Sequence, residues 1–226
     1  MKLTSSFRHI SGCLLILCSY ANSIACGPDA PSIPTPDFFG LSGPYKSMAY
    51  YEKMENLKLW QAMTSMDIPL SDIEEAVYHD SKARFDNCTY NDRYKTKNRF
   101  YNYLINTGSY YMIDLLSTAK DLEERRRKES SPWYYPENRF TNNYESDYID
   151  IIETCRQYDG DLLKDRYALQ ITRALFASRQ YAECIEFVDS AFSDFPDTNL
   201  MKRMAQSYMA GCWCILGQTQ LADSVF

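Results

Sequence analysis

The side chains that carry out most enzymatic chemistry are scarce in this 226-residue sequence. Histidine occurs twice, as His9 and His79, so the sequence offers neither a histidine-rich metal site nor a standard base for a nucleophilic serine or cysteine. The motifs GxSxG, HExxH, GxGxxG and GxxxxGK followed by Ser or Thr are absent. We therefore interpret His79 as a surface residue at a helix end. The pattern predicts a protein that is not an enzyme and uses no cofactor or metal.

Pairs of carboxylates remain as candidate acid and base residues, because the chain has 30 aspartates and glutamates. Asp72 with Glu75, and Asp147 with Asp150, are close in sequence. Hydrolysis of a glycosidic bond requires two carboxyl groups at a defined separation across a cleft. Neighbouring positions on one helix do not establish that separation, so neither pair is assigned a catalytic role.

An aromatic segment bounded by prolines favours binding rather than catalysis. Residues 130–144 are predicted to form a loop, and within its sequence SSPWYYPENRFTNN the residues Trp133, Tyr134 and Tyr135 are consecutive. Such rings combine apolar faces with polar edges, so they could form a stacking platform for a sugar or a peptide. The alternative is that they fill the groove between two helical layers. These three residues are the candidate ligand contacts.

A run of charges, EERRRKE at residues 123–129, is a second candidate binding feature. It contains four consecutive cations, Arg125, Arg126, Arg127 and Lys128. They could bind an anion or a phospholipid headgroup. Alternatively, the run ends a solvated helix, where cations oppose the helix dipole and pair with Glu123 and Glu124. We favour the second interpretation.

The N-terminus has the composition of an export signal. Lys2 and Arg8 precede an apolar run at residues 10–20 that is too short for a membrane anchor, and Ala25 ends a pattern of small residues typical of a cleavage site. Residues 1–25 are therefore predicted to be a signal peptide. The protein is expected in the cell envelope, at the outer membrane or in the periplasm, or outside the cell.

Cys26 directly follows the predicted cleavage site, and the four residues SIAC resemble a relaxed bacterial lipobox. Acylation of Cys26 would anchor the protein to a membrane without a spanning helix. Ser23 stands where leucine is expected, so simple secretion is the alternative. Contact with a membrane is predicted only through this anchor.

The charge of the mature chain limits its partners. Removal of residues 1–25 takes away two basic residues and no acidic one, which lowers the formal net charge from −6 to −8. A surface of this charge repels nucleic acid, so nucleic acid is not a predicted partner.

The cysteines that remain after cleavage are Cys26, Cys88, Cys155, Cys184, Cys212 and Cys214. The last four lie in predicted helices, where cysteine is usually a small buried hydrophobic residue, and we interpret them as core thiols. Cys212 and Cys214 are two residues apart and are expected to point to different faces of one helix.

The elements that would position these residues are predicted to be helical. Glycine occurs eight times in the chain, which argues against a turn-dense β fold. A proline-rich extended leader at residues 26–44 precedes an N-terminal helical region at residues 45–129. Its helices are expected at residues 45–63, 71–80, 94–106 and 109–128, with a loop at 81–92. Ser71 and Glu74 have the spacing of a capping box.

Residues 145–226 have the pattern of paired helices. After a helix at 145–158, two apolar stripes on either side of a break at Ser178-Arg179-Gln180 predict an antiparallel hairpin that Pro196 ends. The first stripe comprises Tyr167, Ile171, Ala174, Leu175 and Ser178, and the second comprises Tyr181, Cys184, Ile185, Val188, Ala191 and Phe192. Residues 206–226 repeat the pattern with Gly217 at the break, and Ala210 and Gly211 permit close helix approach. Hairpins of this kind bury their shared face by stacking into a solenoid.

The two units resemble the tetratricopeptide repeat (TPR). Its small and bulky positions are matched by Thr172, Leu175, Cys184 and Val188 in the first unit and by Ala210, Trp213, Ala222 and Phe226 in the second. The match is degenerate, because Arg179 stands at the usual turn glycine and the units are offset by 38 residues instead of the standard 34.

Longer segments resemble one group of proteins. The signal, the ACGPD junction, the SPWYYPENR loop, the KDRYALQ start of a hairpin and the GQT turn are similar to the N-terminal part of large, uncharacterised envelope proteins of Bacteroidetes with TPR-like helices. The resemblance implies a compartment and an architecture but no activity.

The expected function is that of a non-catalytic interaction scaffold, which binds protein or peptide partners in the groove of its hairpins. The alternative is a glycan-binding helical outer-membrane lipoprotein that uses the aromatic loop. Phe226 is at a position that should pack against a following helix, so we expect the chain to be a shortened part of a longer array.

Overall fold

The computed structural model describes residues 48–91, 96–130 and 148–223, and these residues form helices and no β-strand. The prediction of an all-α fold is confirmed. The chain divides into two compact units, Met1–Tyr51 and Glu52–Phe226. The described part of the first unit is the start of one helix, and everything below concerns the second unit.

The helices are numbered α1–α10 in chain order. The earlier ones are α1 (Met48–Met63), α2 (Leu70–Glu74), α3 (Lys82–Tyr90), α4 (Arg99–Asn106) and α5 (Tyr110–Ser130). The later ones are α6 (Ile149–Arg156), α7 (Lys164–Ala177), α8 (Tyr181–Ala191), α9 (Leu200–Ile215) and α10 (Thr219–Asp223). Helix α2 continues into a π-helical turn (Glu75–His79), and the backbone N of Asp80 donates to Glu75 O at 2.9 Å. Within the described ranges, no helix combines the length and apolarity needed to cross a membrane.

Aromatic side chains form the centre of the packing among α1, α3 and α4. The Trp60 ring meets Phe100 edge-on, with 6.0 Å between centroids, and the Phe85 ring tilts against Tyr101 at 5.5 Å. All four side chains are almost fully buried. Tyr101 Oη donates to the buried carboxylate of Asp80 at 2.7 Å. Burial, reinforced by this carboxylate, raises the pKa of Tyr101, so the phenol remains a donor.

Helix α3 (Lys82–Tyr90) lies within residues 81–92, the segment predicted to be a loop, and that prediction is wrong. Ser81 Oγ caps the helix by accepting from the backbone N of Arg84 at 3.3 Å. Phe85 and Cys88 are three residues apart on one helical face, and both are buried. Their burial outweighs the polar composition of the other positions, because most helical stability in proteins comes from packing of one apolar face.

The capping box predicted at Ser71 and the predicted start of α4 are also wrong. Helix α2 begins at Leu70 after Pro69, and Ser71 makes no capping bond. Glu74 does not complete a capping box but binds Lys53 Nζ of α1 at 2.5 Å. Helix α4 begins at Arg99, not at residue 94, because Asn98 Oδ1 caps it by accepting from the backbone N of Phe100 at 2.9 Å.

Helix α7 is central to the later helices, since it packs against α5, α6, α8 and α9. The predicted first stripe is buried along α7, and the residues of the second stripe are buried or half-buried on α8. Cys184 Sγ of α8 lies 3.6 Å from Thr172 O of α7, a pairing that an antiparallel hairpin with a three-residue turn produces. Helix α7 also buries Arg166 and Gln170, which belong to neither stripe.

One type of turn follows both α7 and α9. After α7, Gln180 N donates to Leu175 O at 3.0 Å and Arg179 N donates to Phe176 O at 3.1 Å. After α9, Gln218 N donates to Trp213 O at 2.8 Å and Gly217 N donates to Cys214 O at 3.1 Å. This is the Schellman motif, which requires a left-handed residue. Gly217 supplies it with φ 78°, whereas the first turn uses Arg179 with φ 64°.

Small residues bring α9 close to its neighbours. A Cβ on Gly211 would lie 3.1 Å from the Phe176 ring of α7, and Ala210 is buried, as the sequence predicts. Cys184 of α8 and Cys212 of α9 are fully buried. Cys214 is exposed, so its interpretation as a core thiol is wrong, whereas its orientation away from Cys212 is confirmed.

Candidate binding site

The site residues predicted from sequence fall mostly outside the described residues. Trp133, Tyr134, Tyr135 and Cys26 all do, so stacking by the aromatic loop and lipidation of Cys26 stay predictions. His79 is at the end of the π-helical turn and is exposed, as predicted. Among the described residues, no group of histidine, cysteine and carboxylate side chains is arranged to hold a metal ion.

The described carboxylates of the two candidate pairs have structural partners. Asp72 Oδ2 accepts from the backbone N of Arg99 at 2.8 Å. Glu75 accepts from Arg84 Nη2 at 2.7 Å and from Asn98 Nδ2 at 3.0 Å. These bonds join α2 and the π-helical turn to α3 and α4, and they explain both carboxylates without a catalytic role.

The charge run at the end of α5 divides between two faces of the helix. Arg125 holds Asp150 of α6 through two bonds of 2.8 and 2.7 Å, and it also binds Asp121 at 2.6 Å. The guanidinium of Arg125 lowers the pKa of Asp150. Glu124 Oε1 accepts from the backbone N of Lys82 at 3.0 Å, which ties α5 to the start of α3. Arg125 therefore joins α5 to α6.

The other face of the run lines an open cleft of about 520 Å³. Its wall contains four arginines, Arg126, Arg127, Arg173 and Arg179. Phe176 and Tyr181 add aromatic surface, and Glu123 is the one carboxylate among the described lining residues. Four guanidinium groups against one carboxylate make the cleft strongly positive, although the chain as a whole has a net charge of −6. We call it the arginine cleft.

Three elements build the arginine cleft. The last turns of α5 supply Arg126 and Arg127, the last turns of α7 supply Arg173, and the Schellman turn between α7 and α8 supplies Arg179. Phe176 is held by edge-on contacts with Tyr181 at 5.7 Å and Tyr208 at 5.3 Å. The arginines are therefore mounted on packed helices and a defined turn, which restricts the geometry of their guanidinium groups.

Two of these arginines have few bonds within the described part of the chain. Arg126 Nη1 donates to Tyr208 Oη over a long distance of 3.4 Å, and Arg173 Nη1 donates to the neutral Gln170 Oε1 at 2.8 Å. Neither forms an ion pair with a described residue. A guanidinium has five N–H donors in a planar fork that matches a carboxylate or a phosphate. The cleft can therefore bind an anion through several charge-assisted hydrogen bonds.

A second, partly open cavity of about 230 Å³, called the internal cavity below, adjoins the arginine cleft, since Glu123 and Arg173 line both. The cavity lies among α1, the π-helical turn, α5, α7 and α9. Arg166 in its wall is 6% exposed, stacks over the Trp60 ring at 4.2 Å and donates to Asn56 Oδ1 at 2.8 Å. Burial lowers the pKa of Arg166 to about 10, so the guanidinium still carries its charge at neutral pH.

Sequence reasoning did not identify Arg173, Arg179 or Arg166 as site residues. No local sequence pattern predicts that Arg126 and Arg173 lie in one cleft, because the two residues are brought together only by the packing of α5 against α7. One signal was present in the sequence. Arg179 stands where the repeat normally has glycine, and a charged residue in a left-handed position indicates a role outside the turn.

Comparison of the chain with protein-family models, curated proteins and solved structures found no match. Function therefore has to be inferred from the chemistry of the described side chains.

Proposed function

We propose that this chain is a non-catalytic binding protein made of TPR-like helical hairpins, and that it holds an acidic segment of a partner protein or peptide in the arginine cleft. The observation that supports the proposal is the convergence on one cleft of four arginines from α5, α7 and the turn between α7 and α8. Its volume of about 520 Å³ is within the range of ligand sites, roughly 300–1,000 Å³.

The TPR-like part of the proposal is supported by the packing of the later helices. Helix α7 packs against α8, and α9 packs against both, which is how a repeat covers the open face of its neighbour. The two Schellman turns are 38 residues apart, the offset that the sequence pattern predicts. The small positions Thr172, Cys184, Ala210 and Ala222 are all buried.

An acidic protein segment fits the cleft better than other anions. Carboxylates bind arginine through two parallel bonds, and the Phe176 and Tyr181 rings can cover the aliphatic part of a peptide. Nucleic acid would meet an overall charge of −6, which opposes its approach. The envelope compartment and the possible anchor at Cys26 belong to the proposal on the sequence pattern alone.

The proposal is tested with two double variants that remove the same charge. In Arg126→Gln/Arg173→Gln the changes are in the cleft. In Arg156→Gln/Arg203→Gln they affect the ion pairs with Glu183 and Glu55, outside the cleft lining. Binding of a fluorescein-labelled peptide of alternating glutamate and alanine is measured by anisotropy, with a glutamine-for-glutamate peptide as the control ligand.

We expect the cleft variant to bind the acidic peptide about tenfold or more weakly than the wild type, equivalent to roughly 1.4 kcal/mol. The control variant should lose less than about twofold in affinity. Added salt should reduce the affinity of the wild type, because exposed charges are screened. Equal losses in both variants, or equal binding of the two peptides, would contradict a specific acidic-segment site.

A further inference from the structure

The wall of the internal cavity contains a buried cation, Arg166, which forms no ion pair with a described residue, although the charge of neighbouring Asp165 favours its cationic form. Arg166 is 6% exposed, and its guanidinium makes one hydrogen bond, to the neutral side chain of Asn56. A guanidinium has five donors, so most of them lack a protein acceptor. The cation is stabilised by the Trp60 face, but removing an ion from water without an opposite charge costs several kcal/mol.

Lys120, the other cation deep in the cavity wall, already has its acceptors. Its Nζ donates to Asp80 O at 2.6 Å and to Val77 O at 3.3 Å, and the side chain is buried. These carbonyls belong to the end of the π-helical turn and the residue after it, so Lys120 fixes that turn. Lys120 nevertheless lines the cavity, and burial lowers the pKa of its ammonium group.

The rest of the cavity wall is largely apolar. It includes Trp60, Leu115, Leu116, Leu169, Met201 and Met204. A volume of about 230 Å³ corresponds to seven or eight water molecules at about 30 Å³ each. Water would satisfy the guanidinium but would gain little from the apolar wall. The best complement to this cavity has one anionic group and a compact apolar body.

We propose that the internal cavity is a binding site for a small organic monocarboxylate, whose carboxylate pairs with Arg166 and whose apolar body packs against the leucine and methionine side chains. This site is separate from the acidic-segment site and does not depend on it. Arg173 and Glu123 line both the cavity and the arginine cleft, so the two spaces adjoin at these side chains. The positive cleft raises the local concentration of anions beside the cavity.

The test uses the whole chain and two pairs of probes of nearly equal shape. Benzoate is compared with benzamide, and hexanoate with hexanamide, by isothermal titration calorimetry. We expect saturable binding of a carboxylate with a Kd of about 1 mM or tighter, and binding of its amide that is at least about tenfold weaker. Equal binding of acid and amide, or no binding of either acid, would overturn the proposal.

Variants then locate the site. Arg166→Gln should weaken binding of the carboxylate by about tenfold or more. Since loss of a buried guanidinium can also disturb folding, Ala119→Met provides a second measurement, because it fills the cavity and leaves every charge in place. We expect Ala119→Met to abolish carboxylate binding while far-UV circular dichroism is unchanged. Undiminished binding in a folded Ala119→Met protein would overturn the assignment to this cavity.

Arg126→Gln separates the two proposals. Arg126 lines the arginine cleft and is not among the cavity residues. This variant should bind the acidic peptide more weakly than the wild type, and its Kd for the monocarboxylate should stay within about twofold of the wild-type value. If Arg126→Gln weakens both ligands equally, the small carboxylate binds in the open cleft and the cavity proposal is wrong.

Discussion

Arg179 is the single residue at which turn geometry and cleft charge conflict. It is in the left-handed region with φ 64°, where a side chain costs roughly 1–2 kcal/mol compared with the right-handed region. Gly217 occupies the equivalent position of the next turn at no such cost. The arginine side chain lines the arginine cleft. Its charge is thus gained at the expense of turn stability.

Arg179→Gly should therefore stabilise the chain and weaken ligand binding. We expect the free energy of unfolding to increase by about 1 kcal/mol, because glycine adopts this conformation without Cβ crowding. Urea denaturation measures the first effect, and peptide anisotropy measures the second, a loss of several-fold. The matched variant is Gly217→Ala, which has open space around its Cβ and should lose about 1 kcal/mol from the backbone alone. A destabilised Arg179→Gly protein would show that the arginine stabilises its own turn.

The thiols provide a second residue-scale prediction. Cys88, Cys155, Cys184 and Cys212 are buried, whereas Cys214 is exposed. Burial raises the pKa of Cys155 to about 12, so almost no reactive thiolate forms at pH 8. Of the described cysteines, only Cys214 should react with a thiol reagent in the native protein, and all should react in guanidinium chloride. Peptide mapping by mass spectrometry identifies them, and rapid native labelling of Cys155 would contradict the observed packing.

At the scale of single helices, α3 is formed by few residues and depends on one side chain. Phe85 is fully buried against Tyr101, and it is the largest apolar side chain of this nine-residue helix to be buried. Phe85→Ala should lower the free energy of unfolding by about 3–5 kcal/mol. Asn87 is exposed on the same helix, so Asn87→Ala should change the free energy of unfolding by less than about 0.5 kcal/mol. Chemical denaturation measures the free energy of unfolding of both variants. A small loss of stability in Phe85→Ala is expected of a surface loop and would contradict the packing of α3.

The helices that were predicted well are those with long, regular apolar stripes. The sequence predicts α7 and α8, because a face of about three to four turns gives a clear period, and the break between them is marked by polar residues. It misses α3, whose apolar face consists of Phe85 and Cys88. It also places a capping box at Ser71, since the pattern cannot show that Glu74 binds Lys53 of a different helix.

The site was less predictable than the helices. Arg126 and Arg127 were noted as a charge run, but their neighbours Arg173 and Arg179 reach the same cleft only through tertiary packing. Arg166 is on α7, a central helix that buries polar as well as apolar side chains. Amphipathic periodicity does not predict buried polar positions.

At the scale of the whole second unit, α7 links two clusters of buried side chains. Tyr167, Ile171 and Leu175 pack with the earlier helices, whereas Ala168 and Leu169 pack with Val188, Phe192 and α9. Two polar contacts add to this link, between Arg166 and Asn56 at 2.8 Å and between Arg203 and Glu55 at 2.6 Å. Neither cluster is complete without a face of α7, so we expect the two to unfold together.

This cooperativity is testable with a Trp133→Phe/Trp213→Phe protein, in which Trp60 is the remaining tryptophan. Trp60 reports on the contact of α1 with α4 and α7, whereas far-UV circular dichroism reports on all helices. The two urea transitions should share one midpoint. A Trp60 transition at clearly lower urea, with most of the helical signal retained, would show that the earlier helices unfold independently of α8 and α9.

The stacking of Arg166 on Trp60 has an optical consequence. The indole is 2% exposed, with a positive charge 4.2 Å above its ring, and indole emission depends on the electric field across the ring. An anion that moves the guanidinium away from the ring, or neutralises its charge, would shift the wavelength of the Trp60 emission maximum. The protein would thus contain a label-free sensor for its own cavity, with which a library of carboxylates could be ranked in a plate reader.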